Sequence, residues 1–384
     1  MLRWSLLLLC AWLAGCASVP PVLPPEPAPL LRDAAFGPAP APIDRGAVFA
    51  MSEPMREYLG QHANALRREG DPRRALIDML YKRRQLALDY DGSLTRTAAE
   101  AFDARAGNCL SLVLMTASFA HELGLPVRYQ RVFVDEAWSR SGDLMFASGH
   151  LNLALEFAPQ PGMLVRSVAP ALIVDFLPGA EIHKQRAQVI GESTVVAMFM
   201  NNRAAERLAV GDVRGAYWFA REAVLADPRF TMAFNTLGVI YLRQGLVSDA
   251  ERLFNEVLAR EPDNPKVMGN LVGTLRQAGR RAEADALARR LAAIEPHPPF
   301  YFYDAGVAAM RRGDWEQARE LLERELRREP YYHETHFRLS QVAWALGDLK
   351  AVKRNLELAR QASTTPNDAS VYAAKLDRLK AIYR

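Results

Sequence analysis

The chain has 384 residues, of which half are apolar and 24% are charged, as is usual for a globular protein. Its net charge of +4 at pH 7 is spread over the whole length, and no basic stripe is interleaved with aromatic residues. Composition and charge therefore give no reason to expect nucleic-acid binding. The length predicts about two or three domains.

The chain begins with a short pattern of its own, MLRWSLLLLCAWLAGC. Arg3 supplies the positive charge of a signal peptide, and residues 6–13 are an apolar stretch too short for a typical membrane-spanning helix. The tetrapeptide LAGC, which ends at Cys16, resembles the lipobox of bacterial lipoproteins. The resemblance implies a signal peptide over residues 1–15 and an acylated Cys16. The alternatives are an ordinary signal peptide or an N-terminal anchor. Residue 17 is alanine, whereas aspartate at this position favours the inner membrane in that family. The resemblance therefore implies an envelope protein anchored by lipid in the outer membrane and facing the periplasm.

Residues 16–45 are rich in proline and alanine, which predicts an extended tether rather than a structured arm. Residues 46–192 are predicted to form one domain. Its first part predicts two helices, MSEPMREYLGQHANALRR and DPRRALIDMLYKRRQLAL, the second with Pro72 at its first position. A turn at residues 90–92 and a short helix, TRTAAEAFDAR, come next.

The following stretch combines a cysteine with a buried helix. The apolar run LSLVLMTASFAHEL follows Cys109, with Asn108 placed as its N-cap and Gly124 just beyond its end. A thiol in the first turn lies at the positive end of the helix dipole beside unpaired N–H groups, which favours the reactive thiolate and suits a developing oxyanion. With Cys10 removed and Cys16 acylated, Cys109 is the only thiol of the mature chain. The alternative is a small core residue.

Three strands are predicted after this helix. VRYQRVFV is rich in β-branched and aromatic residues, and a polar connection, DEAWSRSGDLMFASG, follows it. HLNLALEF alternates, with His150 and Asn152 on one face and leucines on the other. ALIVDFLPG is a buried strand that contains Asp175. The domain is therefore predicted to be α+β, with the cysteine helix packed on an antiparallel sheet.

Residues 193–384 repeat with a period of 34 residues. The recurring positions are Asp227-Pro228, Glu261-Pro262, Glu295-Pro296 and Glu329-Pro330, together with Gly211, Gly245, Gly279, Gly313 and Gly347. This pattern resembles the tetratricopeptide repeat, and it predicts an all-α solenoid of about five repeats with a closing helix, ASVYAAKLDRLKAIYR.

The chemistry of the first domain follows from three residues in chain order. Cys109 on a helix start, His150 at a strand start and Asp175 in the next strand supply a nucleophile, a base and a carboxylate that orients the base. His183 and Asp143 are possible substitutes for the last two. No metal-ligand spacing, phosphate loop or dinucleotide fingerprint is present, so neither metal nor cofactor is expected.

The motifs GNC, LGLPVRY, GH and VD over residues 85–185 resemble the bacterial transglutaminase-like superfamily, whose fold is papain-like. The resemblance implies that Cys109 is the nucleophile, His150 the general base and acid, and Asp175 the orienting carboxylate. The chain differs from many relatives in having Leu151 and Asn152, not an aromatic residue, after the histidine.

The resulting hypothesis is thiol-dependent amide, peptide or ester chemistry through an acyl-enzyme, with either water or an amine as acceptor. The alternative is a non-catalytic scaffold that binds envelope proteins through its repeats. Both predict a protein or peptide partner in the concave face of the solenoid. On the 34-residue register this face is expected to contain Asn201, Asn235, Arg243, Arg276, Tyr303 and Arg311. Amides suit a peptide backbone, and arginines suit acidic groups. The alternatives are that these side chains are simply solvated or that the repeats brace the first domain.

Overall fold

The computed structural model describes residues 26–68, 70–81, 86, 88–141, 144–157, 170–176, 186–330, 332–363 and 365–382. The predicted signal peptide and Cys16 lie outside these residues. The elements of the N-terminal half are α1 Asp33–Phe36, α2 Glu53–Arg68, α3 Pro72–Tyr81, β1 Asp89–Tyr90, α4 Ala98–Ala104, β2 Ala106–Gly107, α5 Cys109–Glu122, β3 Val127–Ser141, β4 Leu144–Leu155, β5 Leu172–Val174 and β6 Ala187–Ile190.

Helix α5 is the centre of the N-terminal half. All residues from Leu110 to Ala120 are buried, as its apolar sequence requires. The helix contacts α3, α4, β3 and β4, so other elements cover it on several sides. Its predicted limits are also confirmed, because Asn108 caps it and Gly124 follows it with φ +67°.

A four-stranded sheet lies against α5 in the order β5-β4-β3-β6, and each neighbouring pair is antiparallel. The structure differs from the expected polar connection after β3, because β3 and β4 continue as paired strands through most of it. Antiparallel pairing satisfies the backbone hydrogen bonds of a polar segment as well as those of an apolar one. Trp138, Met145 and Phe146 also favour a strand.

The C-terminal half consists of five antiparallel helix pairs and a final helix. They are α6 Glu192–Ala209 with α7 Val213–Ala226, α8 Thr231–Arg243 with α9 Val247–Arg260, α10 Pro265–Gln277 with α11 Arg281–Ile294, α12 Tyr301–Arg312 with α13 Trp315–Leu326, α14 His333–Ala345 with α15 Leu349–Gln361, and α16 Pro366–Ile382. The glycines that recur every 34 residues turn the chain between the two helices of each pair, with φ between +77° and +81°. That left-handed conformation explains why the repeat keeps glycine there.

The two halves share one apolar core. A continuous cluster of buried residues extends from Leu30 through α5 and the sheet to Ala284 in the third repeat. The first repeat helices therefore pack directly on the N-terminal half. Among the described residues, no helix combines the length and the apolarity needed to cross a bilayer.

Part of the segment expected to be an extended tether is packed on the repeats. Phe36 is 6% exposed and stacks on the ring of Tyr217, with ring centroids 3.9 Å apart and planes 2° from parallel. The Tyr241 ring lies 5.8 Å from the Phe36 ring, and the Tyr241 hydroxyl donates a hydrogen bond to the carbonyl of Leu30 (2.8 Å). Residues 26–37 are called the N-terminal arm below.

Charge pairs fix the arm at the same place. Arg32 contacts Asp249 of α9 at 2.6 Å, and Arg221 of α7 contacts Asp33 at 3.1 Å. The arm thus spans the first two repeats. The proline and alanine content alone suggests an extended segment. Its two buried apolar residues, Leu30 and Phe36, nevertheless lie against the first two repeats.

Replacing Phe36 with alanine removes the stacked ring. We expect the free energy of unfolding to fall by about 1.5–3 kcal/mol, the usual contribution of one buried large apolar side chain. Limited proteolysis should then cut within residues 26–45 at protease concentrations that leave the native chain intact. Pro38→Ala, at an exposed position of the same segment, is the control. Equal protease resistance in both variants would contradict a stabilising role for Phe36.

Candidate functional site

The start of α5 places the only free cysteine of the described residues. The Asn108 side-chain oxygen accepts hydrogen bonds from the backbone N–H and the hydroxyl of Ser111, both at 2.9 Å. Cys109 is therefore the first residue of the helix and is partly exposed. Residue 107, in the strand β2 that precedes the helix, must be glycine, because a Cβ atom there would lie 2.7 Å from the Cβ of Ser111. Sequence reasoning predicted this cap from local residues.

His150 of β4 meets Asp175, the residue directly after the adjacent strand β5. The His150 Nε2 atom lies 2.7 Å from Asp175 Oδ1, and the two side chains are 4% and 7% exposed. Asn152, two residues along β4, donates a second hydrogen bond to the same carboxylate at 2.9 Å. Strand alternation predicts Asn152 on the same face as His150, and in the structure Asn152 helps to hold the carboxylate in place.

An irregularity in the hairpin lies directly beside His150. Val132 pairs with His150 and Ala137 with Ser148, so four residues of β3 face the single Gly149 of β4. Such bulges change the direction of neighbouring side chains and occur often beside functional sites. This local distortion was not predicted from the alternation of HLNLALEF.

The thiol and the imidazole interact electrostatically. Burial lowers the pKa of His150, but the hydrogen bond to Asp175 and the hydrogen bond and charge of Cys109 outweigh burial and raise this pKa to about 9. With Nε2 engaged by Asp175, the other ring nitrogen is left for the thiol. The imidazole of His150 can therefore remain protonated at neutral pH.

Tyr90 is a further residue of the site that the sequence did not indicate. The Cys109 Sγ atom lies 3.9 Å from the Tyr90 hydroxyl, and burial together with Cys109 raises the pKa of that hydroxyl. A short parallel pairing of Tyr90 with Gly107 brings the tyrosine there. The sequence predicts a turn at this point, because no local signal distinguishes a strand of two residues from a turn. The suggested substitutes His183 and Asp143 lie outside the described residues.

The six expected partner-binding residues of the repeats differ in their exposure. Arg243, Arg276 and Arg311 are exposed on α8, α10 and α12. Asn235 and Tyr303 are buried instead, at 9% and 6% exposure, so they are not available to a partner.

The two buried residues are bonded within the chain. Asn235 accepts a hydrogen bond from Asn270 of the next repeat at 2.8 Å, and Tyr303 donates one to Glu334 at 2.8 Å. These two polar side chains are therefore hydrogen-bonded to neighbouring helices, although the repeat register predicts that they face a partner. Asn201 is half-buried, and its side-chain oxygen has no hydrogen-bond partner within the described structure.

A cavity of about 500 Å³ lies between the sheet and the repeats. Its lining includes Arg131 of β3, Thr231 and Met232 of α8, and residues 261–266, which connect α9 to α10 and begin α10. Arg131 pairs with Leu151, the residue after His150. In the part of the chain that is described, no three His, Cys, Asp or Glu side chains are grouped so that they could ligate a metal ion.

Comparison with known proteins identifies the C-terminal half. Family models described as tetratricopeptide repeat match residues 241–301 and 303–351. Together with the five helix pairs, these matches make the C-terminal half a tetratricopeptide-repeat solenoid. The curated cellulose synthase operon protein C of Pseudomonas fluorescens (strain SBW25) is 26% identical over 239 residues, which are 57% of this chain. The chain spans 17% of the length of that relative.

Solved structures of repeat proteins also match this chain, at 16–19% sequence identity. TTC0263, a tetratricopeptide-repeat protein of Thermus thermophilus, is 19% identical over 47% of this chain and 98% of its own, with a TM-score of 0.29. YrrB, described as a repeat protein with an unusual peptide-binding site, is 16% identical over 47% and 92%, with a TM-score of 0.25. MamA from Desulfovibrio magneticus RS-1 is 17% identical over 44% and 97%, with a TM-score of 0.26.

The raised pKa of His150 predicts a pH dependence of stability. A pKa of about 9 in the folded chain, against an ordinary 6.5, means that the stabilising contribution is complete below pH 6.5 and is lost as the pH rises through 9. Between pH 6.5 and 10 the native chain should lose roughly 3 kcal/mol of unfolding free energy relative to His150→Gln. Urea denaturation at several pH values measures this difference. His121→Gln, at an exposed position on α5, should follow the native chain. Parallel pH profiles for the native chain and His150→Gln would contradict the assignment.

Proposed function

We propose that this protein binds a protein or peptide partner through its tetratricopeptide repeats. The family matches over residues 241–351 carry the proposal, because such repeats form extended concave surfaces that other proteins use for binding. The exposed Arg243, Arg276 and Arg311 recur on the first helices of successive repeats. Their spacing suits an extended partner that carries several acidic groups.

Replacing Arg243, Arg276 and Arg311 together with alanine tests this surface. An array of extended acidic peptides provides the ligand, and fluorescence anisotropy measures its Kd at low and physiological salt. We expect at least a tenfold weaker Kd for the triple variant, since each lost charge-assisted hydrogen bond contributes about 1.5 kcal/mol or more.

A matched control makes the same change of charge on the second helices of the same repeats. Arg252, Arg289 and Arg319 lie exposed on α9, α11 and α13. Their replacement should leave the Kd unchanged. If both triple variants weaken binding equally, the loss reflects net charge and not the proposed surface. If no peptide of the array binds, an acidic peptide is not the partner.

We propose a second function for the N-terminal half, in which Cys109 is a nucleophile that forms an acyl-enzyme. The contact of His150 with Asp175 at 2.7 Å and the effect of Cys109 on the His150 pKa favour it. The motif resemblance to transglutaminase-like enzymes agrees with these roles.

The chemistry would proceed in two balanced steps. The Cys109 thiolate forms a C–S bond with the carbonyl carbon of an amide or ester, and the C–N or C–O bond then breaks while His150 gives its proton to the leaving group. Water or an amine next attacks the thioester, gives a proton back to His150 and releases the thiolate. Asp175 keeps the imidazole oriented throughout. A donor for the oxyanion is available at the start of α5.

The cavity between the sheet and the repeats supports a connection between the two functions. It is lined by Arg131 on the strand that pairs with β4 and by residues 261–266, which connect α9 to α10 and begin α10. A partner that occupies both the repeats and this cavity would contact the sheet that carries His150. In this proposal the repeats recruit the chain on which Cys109 acts.

Alkylation of Cys109 separates the nucleophile from a purely scaffolding N-terminal half. Iodoacetamide should modify Cys109 rapidly at pH 6.5, because the imidazole that interacts with the thiol keeps its proton up to a pH of about 9 and its positive charge favours attack by the sulfur. His150→Ala should slow this reaction about tenfold or more. Mass spectrometry of the modified peptide gives the rates, and His121→Ala is the control at an exposed position. A rate that is the same in the native chain and in His150→Ala would favour the scaffold, with Cys109 as a passive residue.

A further inference from the structure

A polar network joins the cysteine to the first helix of the repeats. Its centre is Thr95, in the loop between β1 and α4, which is only 1% exposed. The Thr95 hydroxyl accepts a hydrogen bond from the side-chain amide of Asn108 at 2.9 Å. Asn108 is the cap of α5 and the residue directly before Cys109. The loop that contains Thr95 therefore contacts the helix start that carries the thiol.

Helix α6 holds Thr95 at all of its polar atoms. The backbone N–H of Thr95 donates to Glu206 at 2.6 Å, and its carbonyl accepts from Arg203 at 3.0 Å. Asn202 donates to its hydroxyl at 3.3 Å. These three residues lie within two turns of α6. A buried loop must satisfy its backbone groups somewhere, and here the first repeat helix provides the partners.

The direction of the Asn108 amide depends on this contact. Its oxygen must face the N–H of Ser111 to cap the helix, so its NH₂ group needs an acceptor on the opposite side. Thr95 is that acceptor. If the amide turned over, it would present donors to the donors of the helix start, and the first turn containing Cys109 would lose its cap.

The loop is also held by α5 and by the residue that follows β1. The backbone N–H of Arg96 donates to the hydroxyl of Ser111 at 2.8 Å, and the guanidinium of Arg96 contacts Asp91 at 2.8 Å. Asp91 directly follows Tyr90, which approaches the Cys109 sulfur. One loop thus supports both the cap and the tyrosine of the site.

Glu206 is a half-buried carboxylate that contacts the loop. Its side chain is 22% exposed, and burial raises its pKa even though the hydrogen bonds from Thr95 lower it. Removing a charged group from water costs free energy, which the two neighbouring arginines and the Thr95 N–H offset in part.

We propose that Thr95, Asn202 and Glu206 are positioning residues for Cys109, so that the first repeat helix forms part of the support of the thiol site. This inference rests on the proposed thiol chemistry. The three residues act through Asn108, and none of them touches the sulfur. The repeats therefore contribute to the reactivity of the cysteine, in addition to any partner that they bind.

The test measures alkylation of Cys109 by iodoacetamide from pH 5.5 to 9 in the full chain. Thr95→Val keeps the size of the side chain but removes the acceptor of Asn108, and Glu206→Ala removes the acceptor of the Thr95 N–H. Each should slow alkylation at pH 6.5 between about tenfold and a hundredfold, as small displacements in a reactive geometry commonly do. Glu206→Gln retains an acceptor oxygen and should restore a rate close to that of the native chain.

Leu208→Ala separates positioning from a general loosening of α6. Leu208 is a buried residue of the same helix, 7% exposed, and it is two residues from Glu206. Its replacement should lower the Tm while leaving the alkylation rate and its pH profile unchanged. An equal slowing by Leu208→Ala would overturn the inference, as would native rates in both Thr95→Val and Glu206→Ala.

The outcomes also separate this inference from the chemistry on which it rests. If His150→Ala slows alkylation but the Thr95 and Glu206 variants do not, the result supports Cys109 as a nucleophile and contradicts the positioning role of Thr95 and Glu206. If alkylation of the native chain does not depend on His150, both fall together.

Discussion

Complete burial of one helix is the constraint on which the N-terminal half depends. The apolar face of α5 extends around its whole circumference, and every residue from Leu110 to Ala120 is buried. Such a helix must be covered on all sides, so helices and a sheet surround it. Only its first turn lacks internal hydrogen-bond partners for its N–H groups, and that turn carries Cys109. Packing therefore places the first turn of α5 beside the sheet, the loop between β1 and α4, and the first repeat helix.

The features that were predictable are those encoded within a few residues. The cap at Asn108 follows from a residue type and the apolar run after it, and the repeat turns follow from glycine at a fixed period. His150 and Asp175 could be named because strand alternation and chain order suggested them, and they are bonded in the structure. A papain-like fold and acyl transfer go further than these local features and belong to the proposals above.

The remaining features arise from contacts between distant parts of the chain. Tyr90 reaches the sulfur through a strand of two residues, and Thr95 acquires its role from α6, more than 100 positions later. The repeat register placed Asn235 on the partner face, but its actual partner is Asn270, one position beyond the equivalent residue Gly269. Periodicity identifies equivalent backbone positions. It does not reveal which polar groups the neighbouring helix has already satisfied, and that depends on side chains outside the repeat pattern.

The N-terminal arm has a consequence for the order in which the chain can fold. Arg32 is separated from its partner Asp249 by 217 residues, and Asp33 is separated from Tyr217 by 184. At about 5–20 residues per second, a ribosome needs about 10–40 s to make the surface on which the arm packs. During that interval Phe36 lacks the ring of Tyr217, although α2 to α5 and the sheet precede that residue in the chain. The N-terminal arm therefore cannot form all of its contacts until α7, α8 and α9 have been made, and its complete docking marks a chain that extends at least as far as α9.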